Sequence, residues 1–353
     1  MKNSIWVYRL FDVAEEISLE QVEKILAQRQ ASRMRLSRIR PKSIQFKNPP
    51  VAVELGENTV LISGRSLKCS FTSKVYDLGV IAIIMRIPLR EEETYADAVD
   101  LAAFLYNDEK IETVFIQQLD KIRKTLSSAI VKEVYSCFVE DFTVYYFREW
   151  DQNWDPLPLL LAEKEPVSEQ VRRETLRHAF SYTPDDHTII TWDSALVCDP
   201  TGSTDIPDLL EFANSQLLEL RYYDSRLTGE MSKMYDAIEE AGRVGSFRRL
   251  GHYRRIMNQL MELIADITEI TERIDNSLKV TEDVFYARIY GTALSILRTK
   301  SWEESIDRKI SIINQTYTML SNRTVNQRSE VLELVIILLI LLELILGIIQ
   351  TVK

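Results

Sequence analysis

Residues 79–87 read GVIAIIMRI, a run interrupted by one charge, Arg86. It is too short for an independent helix and lacks the alternation of a strand with one wet face. Such a run marks a central strand covered on both faces. Working outward, segments rich in Val, Ile, Tyr and Phe and bounded by Gly, Pro, Asn or Asp predict further strands at 5–11, 50–55, 59–63, 142–147 and 188–191, with the central strand spanning 78–87. Helical patterns fall between them at 18–30, 95–107, 111–134 and 168–181. Ser18, with Gln21 three residues later, forms the pattern of a capping box. Residues 1–200 therefore read as a mixed α/β head domain.

After the sequence DPTG at 199–202 no strand pattern remains. Ile206, Leu210, Ala213, Leu217, Leu220, Asp224, Leu227, Met231, Met234, Ile238 and Ala241 alternate steps of four and three, with Asp224 the polar exception. Ile256, Leu260, Leu263, Ile267, Ile270 and Ile274 form a second run, and Ile306, Ile310, Ile313, Tyr317 and Leu320 a third. This is the spacing of helices packed along a seam. Residues 201–329 are expected to be a helical bundle or coiled-coil stalk, with GRVGSFRRLG at 242–251 breaking its first two helices. One sequence does not separate self-packing from packing between copies.

The register of the third run continues through Val331, Leu334, Leu338 and Leu341 into VLELVIILLILLELILGII, 331–349. Sixteen of these nineteen positions are Leu, Ile or Val. As a helix they extend about 28 Å, close to the ~30 Å of a bilayer core. Transfer of sixteen such side chains outweighs about 2.5–3.5 kcal/mol for one central acid. Residues 330–350 are thus expected to form a transmembrane helix, with Glu333 near an interface and Glu343 near mid-membrane as intramembrane polar contacts. Arg323 and Arg328 precede the span, and residues 1–20 do not read as a signal peptide. The expected topology is tail-anchored and single-pass with a cytosolic N-terminal bulk. Glu343 points to a homo-oligomer as the partner that satisfies it.

The chain has 353 residues and a net charge of −10, with no overall bias toward a polyanion. Within it, Arg29, Arg33, Arg35, Arg38, Arg40, Lys42 and Lys47 form a basic segment without an acid. Anionic lipid, RNA and a solvated connector all remain open for this segment. No aromatic residue lies in it before Phe46, which argues against a stacking platform for single strands. The three cysteines, Cys69, Cys137 and Cys198, are odd in number and far apart, which suggests a reducing compartment. The three histidines share no ligand spacing, so no metal or cofactor is expected. There is no P-loop, GxGxxG, GxSxG or HExxH motif and no catalytic residue to name.

LLEFANSQLLELRYYDSRL (209–227), SWEESIDRKISIINQTYTML (301–320) and EVLELVIILLILLELIL (330–346) resemble the required-for-meiotic-nuclear-division family. YDLGVIAI (76–83) and DFTVYYF (141–147) are similar to its strand motifs. The resemblance implies an α/β domain, a helical stalk and one C-terminal span, with relatives associated with mitochondria and acting as tethers. It brings no catalytic residues. Without a transit peptide, a bacterial inner membrane is the simpler setting. The combined expectation is an α+β or α/β head, an all-α stalk and one transmembrane helix. Such a chain would act as a tail-anchored, non-enzymatic scaffold with a protein partner at its head. The same layout is similar to CorA-type channels, which makes an ion-conducting oligomer the alternative. Only one span is present, however, and Gly347 is not followed by the Met-Asn those channels carry.

Overall fold

The computed structural model describes residues 3–28, 36–37, 49–62, 64–108, 110–133, 138–243, 251, 255–262, 264–265, 267–268 and 283–351. In chain order the head contains β1 (Ser4–Asp12), β2 (Ala14–Ile17), α1 (Leu19–Gln28), β3 (Leu36–Ser37), β4 (Val51–Ile62), β5 (Arg65–Val75) and β6 (Val80–Pro88). These are followed by α2 (Tyr95–Asn107), α3 (Lys110–Leu126), β7 (Ile130–Glu133), β8 (Val139–Phe147), α4 (Leu157–Leu160) and α5 (Glu169–Thr175). Then come β9 (Ala179–Phe180), β10 (His187–Ile190), β11 (Ser194–Cys198), α6 (Asp205–Arg243), α7 (Val284–Ile296) and α8 (Thr299–Thr351).

Nine strands form one mixed sheet in the order β3-β4-β5-β6-β1-β8-β11-β10-β9. Neighbours pair antiparallel except β8 and β11. Strand β1 lies between β6 and β8, with Tyr8 opposite Ile84 on one side and Phe142 on the other. The period of two then sorts the side chains. Ile5, Val7, Ile81, Ile83 and Met85 join Val22, Leu101, Phe115 and Ile122 from α1–α3 in one core. Trp6, Tyr8, Leu10, Val80, Ala82 and Ile84 join Leu209, Phe212, Ala213, Ile289 and Tyr290 from α6 and α7 in the other. Helices cover both faces, which is why residues 79–87 carry no polar alternation. At about 1.5–3 kcal/mol per buried aliphatic side chain, β6 is a major contributor to both cores.

Several elements differ from their sequence patterns. The predicted strands 50–55 and 59–63 are one strand, β4, whose register shifts between Glu54 and Gly56. Gly56 has φ +89, which a side chain would resist, and it lets the strand continue through the bulge. The predicted helix 111–134 ends at Leu126, and β7 pairs with β2 instead. Helix α2 occupies 95–107 as predicted. Its start is held by a full capping box between Thr94 and Asp97. At Ser18 the hydroxyl accepts from Gln21 N at 3.4 Å.

The chain divides into two compact units, Met1–Tyr222 with Ile274–Trp302, and Tyr223–Arg273 with Glu303–Lys353. Residues 205–222 of α6 thus pack with the sheet. In the second unit Leu227, Met234, Ile256, Leu260, Ile267, Ile306, Ile313 and Leu320 are buried, all on the predicted seams.

The expected transmembrane helix is not supported. Residues 299–351 do form one continuous helix of 53 residues. Among the described residues, however, no helix is long and apolar enough to cross a membrane. The described apolar side chains near its end, 335–341, are all exposed. The tail-anchored scaffold, the single-pass topology and the inner-membrane or mitochondrial placement all depended on the span and fall with it. So does the CorA-like alternative.

Candidate functional site

The densest buried chemistry lies between the sheet and α6. In FTSKVYD (71–77), alternation along β5 turns Lys74 toward the α6 face, in the row of Ala82. On α6, Asp208 and Glu211 are three residues apart and share a face. The Lys74 ammonium donates to Asp208 Oδ1 at 2.8 Å and Glu211 Oε2 at 2.5 Å. Tyr76 donates to Glu211 Oε1 at 2.9 Å, and Thr204 to Asp208 Oδ2 at 3.0 Å. The side chains of Lys74, Asp208 and Glu211 are 3%, 4% and 0% exposed.

Polar groups flank this cluster. Tyr8 is buried in the same layer, and its hydroxyl has no hydrogen-bond partner among the described residues. The Arg86 guanidinium stacks over Trp6 at 4.2 Å, and Trp6 stacks on Tyr146 at 5.2 Å. A second ion pair ties α6 to another strand of the sheet, Glu140 of β8 with Arg221.

Burial by itself would lower the Lys74 pKa, but the charges of Asp208 and Glu211 and their hydrogen bonds hold it above the ordinary value. Glu211 is pushed up by burial and by Asp208, against the opposing pull of Lys74 and Tyr76. These directions differ from those of a simple exposed pair, where the acid would fall. Sealed from water, one cation serves two carboxylates and leaves a surplus of negative charge. Burial, with Glu211 the next cause, lifts the Tyr76 and Tyr8 phenols well above their ordinary range. A lysine kept protonated has no free electron pair for nucleophilic work. The cluster therefore ties α6 to the sheet in one register, the best-attested use of buried ion pairs.

In the second unit the polar exception of the heptads has a partner. The Lys309 ammonium donates to Asp224 Oδ1 at 2.6 Å and to Thr228 Oγ1 at 2.6 Å, and Ser305 donates to Asp224 Oδ1 at 2.7 Å. Ser305 with Asp224 and Lys309 with Thr228 are both 81 residues apart, so α6 and α8 run parallel here. The same offset sets Arg243, the last residue of α6, level with residue 324 of α8, which continues to Thr351. Residues 335–341 lie past that level and are 50–60% exposed, every one apolar.

Arg29, Arg33, Arg35, Arg38, Arg40, Lys42 and Lys47 lie outside the described residues, as does the side chain of Glu343. Glu333 is exposed. Asp185 and Asp186 form a turn that enters β10 at His187, and the Asp186 carboxylate accepts from the backbone N–H of Tyr182 and Thr183. Among the described residues no three His, Cys, Asp or Glu side chains gather to hold a metal. Sequence reading missed the Lys74 cluster. The available signal was a pair of acids, i and i+3, bracketing two leucines in DLLE at 208–211.

The family described as "Uncharacterized protein MJ0711, N-terminal domain" matches residues 2–204. The chain belongs to this family. The MJ0711 N-terminal domain thus supplies the whole nine-stranded sheet and ends one residue before α6. Lys74, Tyr76, Tyr8 and Arg86 lie inside it, and Asp208 and Glu211 just beyond. Uncharacterized protein MJ0711 of Methanocaldococcus jannaschii is 27% identical over 221 residues, covering 60% of this chain and 66% of that protein. The match spans just under two thirds of the relative, and its name carries no activity to transfer. No solved structure matches.

Proposed function

We propose that this MJ0711-domain chain is an interaction protein, working through its surfaces rather than through a reaction. In this reading the domain supplies a rigid sheet that holds the first half of α6 in a fixed register. The observation behind it is the sealed state of the Lys74 cluster. The most chemically endowed group of side chains is satisfied internally and offers nothing to a substrate. The resemblance to the meiotic-nuclear-division proteins, which brings no catalytic residues, supports the same reading.

Thermal-shift screening of the full chain against nucleotides, divalent cations, organic acids and amines tests it. No compound is expected to raise Tm. A compound that does so in the parent protein and not in Glu211→Gln would make the cluster a ligand site and overturn the proposal.

A further inference from the structure

We infer that residues 335–341 of α8 are a self-association surface, covered by the same segment of at least two other copies of this chain. Within one chain, α8 packs through Ile306, Ile313 and Leu320, which are buried. The parallel register with α6, fixed by Ser305–Asp224 and Lys309–Thr228, carries α8 about 27 residues beyond the described end of α6. The four-three spacing does not stop there. It runs on through Val331, Leu334, Leu338 and Leu341. The seam thus continues where its covering helix does not, among the described residues.

Three further features select other copies as the occupant. A parallel copy brings the same seam in the same register, so the surface is complementary to itself. Glu333, the described acid of this segment, is exposed and falls off the seam at the heptad position before Leu334, so copies do not oppose like charges at the contact. The area is also sufficient. Seven apolar residues, each half or more exposed, offer on the order of 700 Å², against about 800 Å² per partner in a standard interface. The number of copies follows from the distribution around the helix. Seven consecutive apolar residues occupy every side, and an all-round apolar helix is stable only when enclosed. A single neighbour covers one side, so three or more helices are required.

The experiment is sedimentation equilibrium on the full chain in detergent-free buffer, over a concentration series, with and without phosphatidylcholine vesicles. The expected mass is at least threefold the 41.0 kDa of one chain, falling to 41.0 kDa in Leu338→Glu/Leu341→Glu. Glu333→Gln should keep the parent mass. Both leucines are exposed, so far-UV circular dichroism should show the double variant folded. A parent mass of one or two chains overturns the inference, as does a mass that the double variant leaves unchanged. A 41.0 kDa protein that floats with the vesicles also overturns it, by making lipid the occupant.

Discussion

Replacing Lys74 with Met removes the one cation shared by two buried carboxylates. Methionine fills most of the space, so the loss is electrostatic rather than a cavity. Two charge-assisted hydrogen bonds disappear, while Glu211 keeps its bond from Tyr76 and Asp208 its bond from Thr204. Breaking a buried pair from one side costs about 3–5 kcal/mol, a large share of the roughly 5–15 kcal/mol that hold an ordinary domain together. The deficit must also depend on pH. Glu211 already titrates above its ordinary 4.5 because of burial, and losing Lys74 pushes it further up. In the window from that ordinary value upward, the folded variant binds a proton that the unfolded chain has released. Stability of the variant therefore falls as pH rises, by up to about 1.4 kcal/mol per unit. Urea unfolding at pH 5 and pH 8, followed by tryptophan fluorescence, reads both quantities. Adding Asp208→Asn and Glu211→Gln should restore most of the stability, since the amides still accept from Thr204 and Tyr76. A deficit below about 1 kcal/mol at pH 8, or one equal at both pH values, would refute a dry, sealed cluster.

Three other outcomes are expected. Gly79 sits at φ +94 in the β5–β6 turn, where a Cβ would lie 1.8 Å from the Ala14 carbonyl oxygen. Backbone cannot yield as a side chain can, so Gly79→Ala should lose at least about 3 kcal/mol or fail to accumulate as folded protein, measured by urea midpoint. Asp224→Leu should lower the thermal midpoint of the 222 nm helix signal by an amount equivalent to about 1–2 kcal/mol. The double change with Lys309→Leu should regain it, because the pair is replaced by apolar packing. Finally, the protein should become labile in alkali. Burial holds Tyr8 and Tyr76 well above 10.0, Cys69 at about 12 and Cys198 at about 11, and Lys74 is also raised. The folded state keeps protons that the unfolded chain gives up, so stability is lost as pH climbs past about 9–10. Absorbance at 295 nm should show part of the tyrosine ionisation arriving only with unfolding. Tyr8→Phe should lessen the slope without destabilising at pH 7.

Residues 79–87 announced a doubly covered strand because burial on two faces leaves a direct mark on composition. The seam residues did the same, since Leu227, Met234, Ile306, Ile313 and Leu320 are selected by local period. Strand β5 was hidden because SLKCSFTSKV alternates polar residues with few large apolar ones, and its place is set by β4 and β6 rather than by propensity. The Lys74 cluster was illegible for a different reason. Lys74 and Asp208 are 134 residues apart, and no local pattern records which distant acid a lysine meets. Asp224 stood out as an exception in its heptad, but only the structure names Lys309 as its partner. At the C-terminus, composition alone favoured a span that the described residues do not support.

The division of the chain bears on how it is made. The first unit closes only when residues 274–302 return to it, after an excursion that starts at residue 223. Phe212 and Gln216 of α6 meet Tyr290 of α7, by ring stacking at 6.0 Å and by a 2.6 Å hydrogen bond. During synthesis at roughly 5–20 residues per second, the 80 residues from 222 to 302 take about 4–16 s. For those seconds the nascent sheet has α6 at hand but not α7, and one apolar side of α6 is open while a heptad-bearing segment emerges beside it. Through that interval the contacts of Asp208 and Glu211 with Lys74 hold α6 on the sheet, and its other side is left for α7 to fill.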